Sequence, residues 1–446
     1  MSSLKKLAIR GAVWTIASYG ASQVLRFGSN LILTRLLVPE LFGLMALVTT
    51  FIVGLNLFSD IGAGPSIIQN KRGDDPDFLN TAWTLQVMRG FALWLCCLAI
   101  AWPISQFYKD PRLLWLIPLV GAGTIISGFS STAVFSLNRH MDIGKLTIFQ
   151  FTTQALSIVV TVVWASFSPT IWALVGGQLA SSLIRMVWSH FLIPGKRNRF
   201  AWDKDALQDL FTFGRWIFVS TAMTFLAGQA DRLILGKLLS FQMLGVYTVA
   251  FTLSDMPRQI VGAINSKVLF AATSKLVSLP RETFRAKILG KRKLIIAVLA
   301  LALAVLITVG DLLILALYDD RYAEAGWMLP ILGLGLWPRL LSQTIDPSLL
   351  ALGKPYYVAA GNFLKFLFMI IGLPLGFYLG QVPGAIIVIA LNDFPYYAAV
   401  TYGLWREGMS CAWQDIQATG LFLASLALLL LGRHLLGFGI PFQIAL

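Results

Sequence analysis

Long apolar stretches recur along the whole chain and are separated by short polar turns. A helix needs about 20 apolar residues to cross a hydrocarbon core roughly 30 Å thick, and most of these stretches reach that length. The pattern therefore predicts thirteen transmembrane helices. The first six cover about residues 11–38, 41–67, 80–105, 113–136, 146–166 and 170–193. The others cover about 210–238, 242–267, 293–317, 328–350, 356–379, 383–403 and 416–436.

One passage of the sequence occurs twice. "NLILTRLLVPELFGLMALVTTF" begins at Asn30, and "DRLILGKLLSFQMLGVYTVAF" begins at Asp231. A constant shift aligns Trp14 with Trp216, Leu31 with Leu233, Arg35 with Lys237, and Gly43 with Gly245. The copies belong to the first and seventh predicted helices, so the repeating unit is six helices. Because an even number of crossings returns the chain to its starting side, the repeats must be parallel, with a pseudo-twofold axis along the membrane normal.

These two patterns predict the fold class and the domain organisation. We expect an all-α polytopic membrane protein with two six-helix lobes and about one extra C-terminal helix. The predicted divisions are an N-terminal lobe over 1–195, a cytoplasmic linker over 196–209, a C-terminal lobe over 210–404, and the extra helix and tail over 405–446.

The composition agrees with a membrane protein. Hydrophobic residues make up 57% of the 446 residues and charged residues only 13%, against about 25% charged in an average soluble domain. The three cysteines have no disulfide or metal-site spacing, and the three histidines are scattered. The sequence therefore predicts no cofactor and no metal.

The net charge of +14 follows from the predicted topology. If the N-terminus is cytoplasmic, twenty lysines and arginines fall on the cytoplasmic side and six on the outer side. Such a bias orients membrane proteins, so we expect a cytoplasmic N-terminus. The positive charge then needs no nucleic-acid partner, because anionic lipids attract the same residues.

Charged residues within the predicted spans are the candidate functional residues, because a charge in hydrocarbon is costly and usually faces a cavity or a partner. The cations are Arg26, Arg89, Arg185, Arg215, Arg232, Arg258, Lys267, Arg339 and Lys365. Several share a helix face with other polar residues, such as Gln86 with Arg89 and Asp255 with Arg258. Arginine holds phosphate groups bidentately, so the predicted binders of an anionic substrate are Arg26, Arg89, Arg215, Arg258, Arg339 and Lys365. The predicted coupling residues are Asp60, Asp255, Asp346 and Asp393.

A second interpretation of these charges stays open. They could form pairs that stabilise the fold, as Asp255 and Arg258 could do at i,i+3, or extend to the headgroups. Arg35 and Lys237 occupy equivalent positions in the repeat, which favours a structural role for that pair.

Two polar segments outside the spans also suggest functions. "GDDPDF", from Gly73 to Phe78, resembles an acidic metal-binding signature, but it is also typical of a turn in which Asp77 caps the next helix. "SLPRETFRAKILGKRK", from Ser278 to Lys293, predicts a basic amphipathic helix on the inner leaflet. A solvated basic loop is the alternative.

Several passages resemble the polysaccharide flippases, the Wzx-type transporters of the MOP superfamily. They are "ILTRLLVPELFGLMAL", "DIGAGPSIIQ", "FLNTAW", "FYKDPRL", "DRLILGKLLSFQMLGVYTVA" and "LLALGKPYY". The resemblance implies two six-helix lobes, a central cationic cavity and alternating access. It also implies transport of oligosaccharides linked to undecaprenyl pyrophosphate to the outer leaflet of the bacterial inner membrane. The thirteenth helix departs from the 12 or 14 that are common in the family.

The expected function is therefore export of a lipid-linked precursor for exopolysaccharide, capsule or O-antigen synthesis. Other proteins of polysaccharide assembly are possible partners. A lipid II flippase or a MATE-like multidrug exporter would share this architecture, although intramembrane arginines disfavour export of a drug cation. A membrane glycan polymerase or ligase is a further alternative. We expect no enzymatic activity, because the predicted outer loops are too short to organise a catalytic site.

Overall fold

The computed structural model describes residues 20–60, 62–140, 142–195, 198–265 and 279–442. Within these ranges the regular secondary structure is helical and contains no strand. The all-α fold class predicted from hydropathy is therefore confirmed. The chain divides into two compact units between Phe225 and Leu226, which we call the N-terminal unit and the C-terminal unit. The predicted lobe and linker boundaries, and the pseudo-twofold axis, stay predictions.

The N-terminal unit begins, in the described part, with helix α1 over residues 20–36. Its next helices are α2 (Pro39–Phe58), α3 (Ala63–Gln69), α4 (Pro76–Tyr108), α5 (Leu113–Gly128), α6 (Ala133–Arg139), α7 (Ile143–Phe167) and α8 (Ile171–Ser189). Helix α9 (Lys204–Leu238) begins in this unit and ends in the other.

The C-terminal unit continues from α9 with α10 (Phe241–Ser254) and α11 (Met256–Ile264). Its later helices are α12 (Arg281–Leu317), α13 (Ala325–Gln343), α14 (Asp346–Ala351), α15 (Tyr356–Leu391), α16 (Asp393–Arg406) and α17 (Ala412–Leu435). Helix α15 is interrupted at Gly380 and Gln381, whose backbone angles are not helical. This interruption lies between the predicted eleventh and twelfth spans.

Seven helical segments in the described residues are long and apolar enough to cross a membrane, or eight if a bent pair counts as one span. This establishes a multi-span helical protein, but it is fewer than the thirteen predicted spans. Three causes account for part of the difference, and predicted spans seven and ten, which lie in α9 and α13, are also not among these segments. One segment, Tyr356–Arg406, contains two predicted spans, α10 has only 14 residues, and most of predicted span one lies outside the described residues. The number thirteen stays a prediction.

The bent pair is α5 and α6, whose axes differ by 60°. The side chain of Gln86 on α4 lies at the break, where its Nε2 donates hydrogen bonds to the carbonyls of Ser127, Gly128 and Ser130 at 3.3, 3.1 and 3.1 Å. The carbonyls of Gly128 and Ser130 lie beyond the last full turn of α5, whereas that of Ser127 also accepts a hydrogen bond from the backbone N–H of Ser130 at 3.1 Å. The amide therefore stabilises a break that opens a polar space inside the unit.

The segment before α9 is bound along α4. The backbone N–H groups of Arg199, Ala201 and Asp203 donate to side-chain oxygens of Asn80, Thr84 and Thr81 at 3.0–3.1 Å. Alternate residues of this segment therefore face one side of α4, as expected of an extended chain. The carboxylate of Asp203 also pairs with Arg72 at 2.5 Å, and this hydrogen bond lowers its pKa. Residues 198–203 of the predicted linker are thus part of the N-terminal unit.

Helix α17, which corresponds to the predicted thirteenth span, is fixed to α12 at both ends by arginines. Near one end the buried guanidinium of Arg292 pairs with Asp415 at 2.6 Å. Near the other end Arg433 pairs with Asp311 at 2.5 Å. Between them the helices share a hydrophobic core, in which the ring of Phe422 stacks on Trp337 on α13 at 4.7 Å. Helix α17 is therefore an integral part of the C-terminal unit.

Candidate functional site

A polar cavity of about 230 Å³ lies inside the N-terminal unit, at the break between α5 and α6. Its lining consists of Asn56, Gln86, Arg89, Gly90, Leu93, Thr124, Ser127, Gly128, Ser130, Ser131, Val134, Phe135 and Arg185. The lining thus contains two arginines and no acidic residue from the part of the chain that the structure describes. We call this space the arginine cavity.

The two arginines of this cavity differ in how they are held. On Arg89 the Nε donates to Ser59 Oγ at 2.9 Å and Nη2 donates to the carbonyl of Asn56 at 2.6 Å. Arg185, on α8, makes no hydrogen bond or ion pair with any residue that the structure describes. One guanidinium is therefore fixed in place, while the other keeps its donors available.

Close packing of α4 on α5 forms one wall of the arginine cavity. A Cβ added at Gly90 would lie 2.6 Å from the carbonyl oxygen of Thr124, so a larger residue would push the helices apart. The hydroxyl of Thr124 donates to the carbonyl of Gly90 at 3.0 Å. Arg89 immediately precedes Gly90, so this packing contact fixes the part of α4 from which the Arg89 side chain extends.

A second, smaller cavity of about 90 Å³ lies inside the C-terminal unit. Its charged lining residues are Asp231, Asp255, Arg258, Lys365 and Asp393. Asp255 pairs with Arg258, as the i,i+3 spacing predicted. Lys365 Nζ lies 2.6 Å from the carboxylate of Asp393, and these side chains are 16% and 14% exposed. We call this space the ion-pair cavity, because both of its cations have an acidic partner.

Helices α13 and α15 approach closely beside the ion-pair cavity. A Cβ at Gly335 would lie 2.1 Å from the carbonyl oxygen of Ala390, so this contact requires glycine. The approach brings α13 beside the start of α16, which carries Asp393. The pair between Lys365 and Asp393 therefore joins α15 to α16 across a tightly packed region.

Arg339 and Asp346 meet at a tyrosine near this cavity. The guanidinium carbon of Arg339 lies 4.0 Å from the centre of the Tyr396 ring, and the hydroxyl of Tyr396 donates to Asp346 at 2.8 Å. Arg339 Nη1 is buried and has no hydrogen-bond partner among the described residues. The aromatic face supports the positive charge in place of a direct ion pair.

The predicted site residues are thus distributed unevenly. The structure brings Arg258, Lys365, Asp255 and Asp393 together and places Arg339 near Asp346. Arg89 lies in the other unit. Asp60 accepts a hydrogen bond from the backbone N–H of Gly62 at 2.9 Å, within a turn.

The remaining two predicted binders are Arg26 and Arg215, and neither is found among the lining residues of the two cavities. Arg26 is exposed on α1 and lines neither cavity. The side chain of Arg215 lies outside the described residues.

Arg185 was recognised in the sequence as an intramembrane cation but was not predicted to bind substrate. A signal was present, because Gln178, Ser182 and Arg185 are spaced i, i+4 and i+7 and so share one face of α8. The same reasoning identified Arg89 through Gln86. The spacing could not reveal that α8 turns this face towards the break between α5 and α6.

The acidic segment from Gly73 to Phe78 is a structural turn in the N-terminal unit. Asp74 pairs with Arg139 and His140 at 3.0 and 2.9 Å, and Asp75 pairs with Arg72 at 2.8 Å. Asp75, whose side chain accepts from the backbone N–H of Asp77, caps α4. The prediction that Asp77 is the cap was therefore wrong. The described residues contain no cluster of three or more potential metal ligands, here or elsewhere.

Comparisons with known proteins agree with the resemblance seen in the sequence. The chain is 22% identical over 359 residues to the teichuronic acid biosynthesis protein TuaB of Bacillus subtilis, covering 79% of this chain and 73% of TuaB. It is 22% identical over 330 residues to the succinoglycan biosynthesis transport protein ExoT of Rhizobium meliloti, covering 74% and 65%.

Among solved structures, the lipid II flippase MurJ in an inward closed conformation matches with a TM-score of 0.71 over 94% of this chain and 92% of that chain. At 13% sequence identity, this likeness establishes a shared fold. Residues 32–326 also match the family described as "Polysaccharide biosynthesis protein". Because that match covers more than half of the 446 residues, the chain belongs to the polysaccharide biosynthesis protein family.

Proposed function

We propose that the protein is a flippase for a lipid-linked oligosaccharide that feeds exopolysaccharide, capsule or O-antigen synthesis. The lipid carrier is undecaprenyl pyrophosphate, and transport runs from the cytoplasmic to the periplasmic leaflet of the bacterial inner membrane by alternating access. The N-terminus is cytoplasmic. The family, the names of the relatives and the shared fold with a lipid II flippase support this proposal.

The arginine cavity is the observation that carries the proposal. Two guanidinium groups without a carboxylate in the lining form an environment for an anion. In a low-dielectric surrounding, an arginine fork forms short, charge-assisted hydrogen bonds with phosphate oxygens. Serine, threonine, asparagine and glutamine side chains of the lining add neutral polar groups. A cavity of about 230 Å³ is suited to the charged diphosphate end of such a substrate, with the glycan lying elsewhere.

The arginine cavity also bears on the alternative functions, which are a MATE-like exporter, a lipid II flippase, and a polymerase or ligase. A drug cation would meet two like charges in the arginine cavity, so a MATE-like exporter is disfavoured. A lipid II flippase would also need to bind pyrophosphate. Its substrate would differ from the proposed one in the glycan, so the arginine cavity does not distinguish the two functions. A polymerase or ligase finds no support in the family or in the fold of the solved structure that matches.

Energy coupling is proposed to involve the acidic residues that the sequence placed in predicted spans, namely Asp60, Asp255, Asp346 and Asp393. Asp255 and Asp393 have cationic partners in the ion-pair cavity. If a proton or a metal cation bound to one of these aspartates, it would replace the ion pair with Arg258 or Lys365. Such an exchange could link an ion gradient to transport.

The test replaces Arg185 in the full-length protein, in a strain whose own copy of the gene is deleted. Export of polysaccharide and the amount of protein in the membrane are measured together. Arg185→Ala should reduce export about 10- to 100-fold, the range that the loss of a hydrogen bond to a charged group gives. Arg185→Lys, which keeps the charge but loses the fork, should be impaired less. Membrane abundance should stay normal, because Arg185 has no partner in the described part of the chain to lose.

Arg199→Ala is the matched control, since Arg199 is an exposed arginine of the same unit whose hydrogen bond to Asn80 is made by its backbone N–H. It should export normally. Normal export by Arg185→Ala at normal abundance would remove the arginine cavity from the transport mechanism.

A further inference from the structure

The basic segment at the start of α12 extends beyond the part of that helix that fits a membrane. Helix α12 has 37 residues, which at 1.5 Å per residue gives about 55 Å. The hydrocarbon core is only about 30 Å thick. From Leu294 to Leu317 the only charged residue is Asp311, which is paired with Arg433. That stretch therefore fits the hydrocarbon, and residues 281–293 lie at the level of the headgroups or beyond.

One face of this basic segment is committed to the fold. Phe284 is fully buried in a core cluster. Arg292 is only 2% exposed, and its guanidinium donates to Thr344 Oγ1 at 2.8 Å, Gln414 Oε1 at 2.9 Å and the carbonyl of Leu341 at 2.8 Å. With Asp415 as its ion-pair partner, this buried arginine is committed to contacts within the fold.

A second set of residues, turned away from Arg292, forms a single exposed stripe that runs from the basic segment into the apolar part of α12. Its members are spaced alternately by four and three residues, which keeps them on one side of a helix. They are Lys287, Lys291, Leu294, Val298, Leu301 and Val305. The four apolar members are 72%, 56%, 49% and 48% exposed in chain order, so this side of α12 is not covered by the described residues.

Both lysines of the stripe are available to a ligand. Lys287 and Lys291 are exposed, and neither makes an ion pair or hydrogen bond with the residues that the structure describes. The acid nearest to them in sequence is Glu282. It lies five residues before Lys287, and at 3.6 residues per turn it points to another side of the helix. The two ammonium groups are one turn apart, and Lys291 is less than one turn from the exposed Leu294.

We propose that Lys287, Lys291 and Leu294 form a binding site for one anionic phospholipid. The ammonium groups contact the headgroup phosphate, and the acyl chains lie along Leu294, Val298 and the rest of the stripe. Two lysines with no acid on their face favour a headgroup with a net negative charge over a zwitterionic one. This site is distinct from both cavities and does not depend on the identity of the transported substrate.

The experiment measures which lipid the purified full-length protein retains. The protein is equilibrated in mixed micelles with equal amounts of phosphatidylglycerol and phosphatidylcholine, purified again, and its bound lipid is quantified. The wild type should be enriched in phosphatidylglycerol. A lysine near an anionic surface contributes about a five-fold preference, so Lys287→Gln with Lys291→Gln should lower the preference about 25-fold. Lys287→Arg with Lys291→Arg should keep it.

The control removes two other exposed lysines, as Lys71→Gln with Lys204→Gln, and so changes the net charge equally. It should retain the wild-type preference. An equal loss in control and test variants would mean a diffuse effect of charge and would overturn the site, as would unchanged lipid in the Lys287 and Lys291 variant. If that double variant is not monodisperse, Lys291→Gln alone serves, with an expected loss of about five-fold.

Discussion

The two cavities contain similar cations in different electrostatic surroundings. In the N-terminal unit, Arg185 lines a polar space with no acid in the lining and no partner among the described residues. In the C-terminal unit, Lys365 lies 2.6 Å from Asp393 in a smaller space that also contains two further aspartates. The two cations therefore differ in whether an acidic partner is present, and we use this difference to predict their roles.

This difference has an energetic basis. An ion taken out of water without a partner costs several kcal/mol, so an unpartnered cation in a cavity persists where water or a ligand reaches it. In an ion pair, the attraction between the two charges offsets the cost of removing them from water. Removal of one member leaves the other charge buried without a partner. The same kind of mutation should therefore damage binding in one unit and stability in the other.

The largest expected effect is in the ion-pair cavity. Lys365→Met keeps the length and apolar stem of the side chain but leaves the carboxylate of Asp393 without its partner. Breaking a buried pair from one side costs about 3–5 kcal/mol. We expect a strong loss of folded protein, measured as membrane abundance and as the unfolding midpoint in detergent.

The double variant separates stability from coupling. Lys365→Met with Asp393→Asn removes both charges, so the folded protein should return to near its normal amount. If export stays absent while abundance recovers, the pair takes part in coupling. If abundance does not recover, the loss came from packing around Lys365. That outcome would contradict the prediction that the ion pair stabilises the C-terminal unit.

An intermediate effect should follow when the arginine cavity is made to resemble the ion-pair cavity. Ser127 is exposed in the lining, so a slightly larger side chain can be accommodated. Ser127→Asp places a carboxylate where it competes with phosphate for the guanidinium groups. Export should fall about 10- to 100-fold, as for loss of one charged hydrogen bond, with normal abundance. Ser127→Asn has the same shape without the charge and should export normally, so equal defects in both variants would point to a steric cause.

The sequence was sufficient for those features that depend on local pattern. Hydropathy predicted a helical membrane protein, and the i,i+3 spacing predicted the pair between Asp255 and Arg258. The repeated passage and the quoted motifs led to the family that the comparisons then identified. In each case residues a few positions apart carry the information.

Features that depend on distant residues could not be predicted in this way. Lys365 and Asp393 are 28 residues apart, on either side of the interruption in α15, and no periodicity links them. Arg185 lines the arginine cavity at the break between α5 and α6, where Gln86 donates to the carbonyls of residues more than 40 positions away. The cap of α4 was misassigned by two residues, because a carboxylate at either Asp75 or Asp77 fits the pattern of a turn before a helix.

The smallest expected effect concerns Arg339, which is intermediate between the two cases because its charge rests on an aromatic ring. Tyr396→Phe keeps that ring but removes the hydroxyl that donates to Asp346 at 2.8 Å. If the cation–π contact holds Arg339, stability should fall by only about 1 kcal/mol, the usual net value of one hydrogen bond. Tyr396→Leu removes the ring as well and should cost clearly more, since a partly desolvated cation–π contact contributes about 0.5–2 kcal/mol in addition to the lost packing. The free energy of unfolding of both variants in detergent is the measurement. Equal losses would show that the hydroxyl and Asp346 hold this region, and Arg339 would then belong with the paired cations of the C-terminal unit.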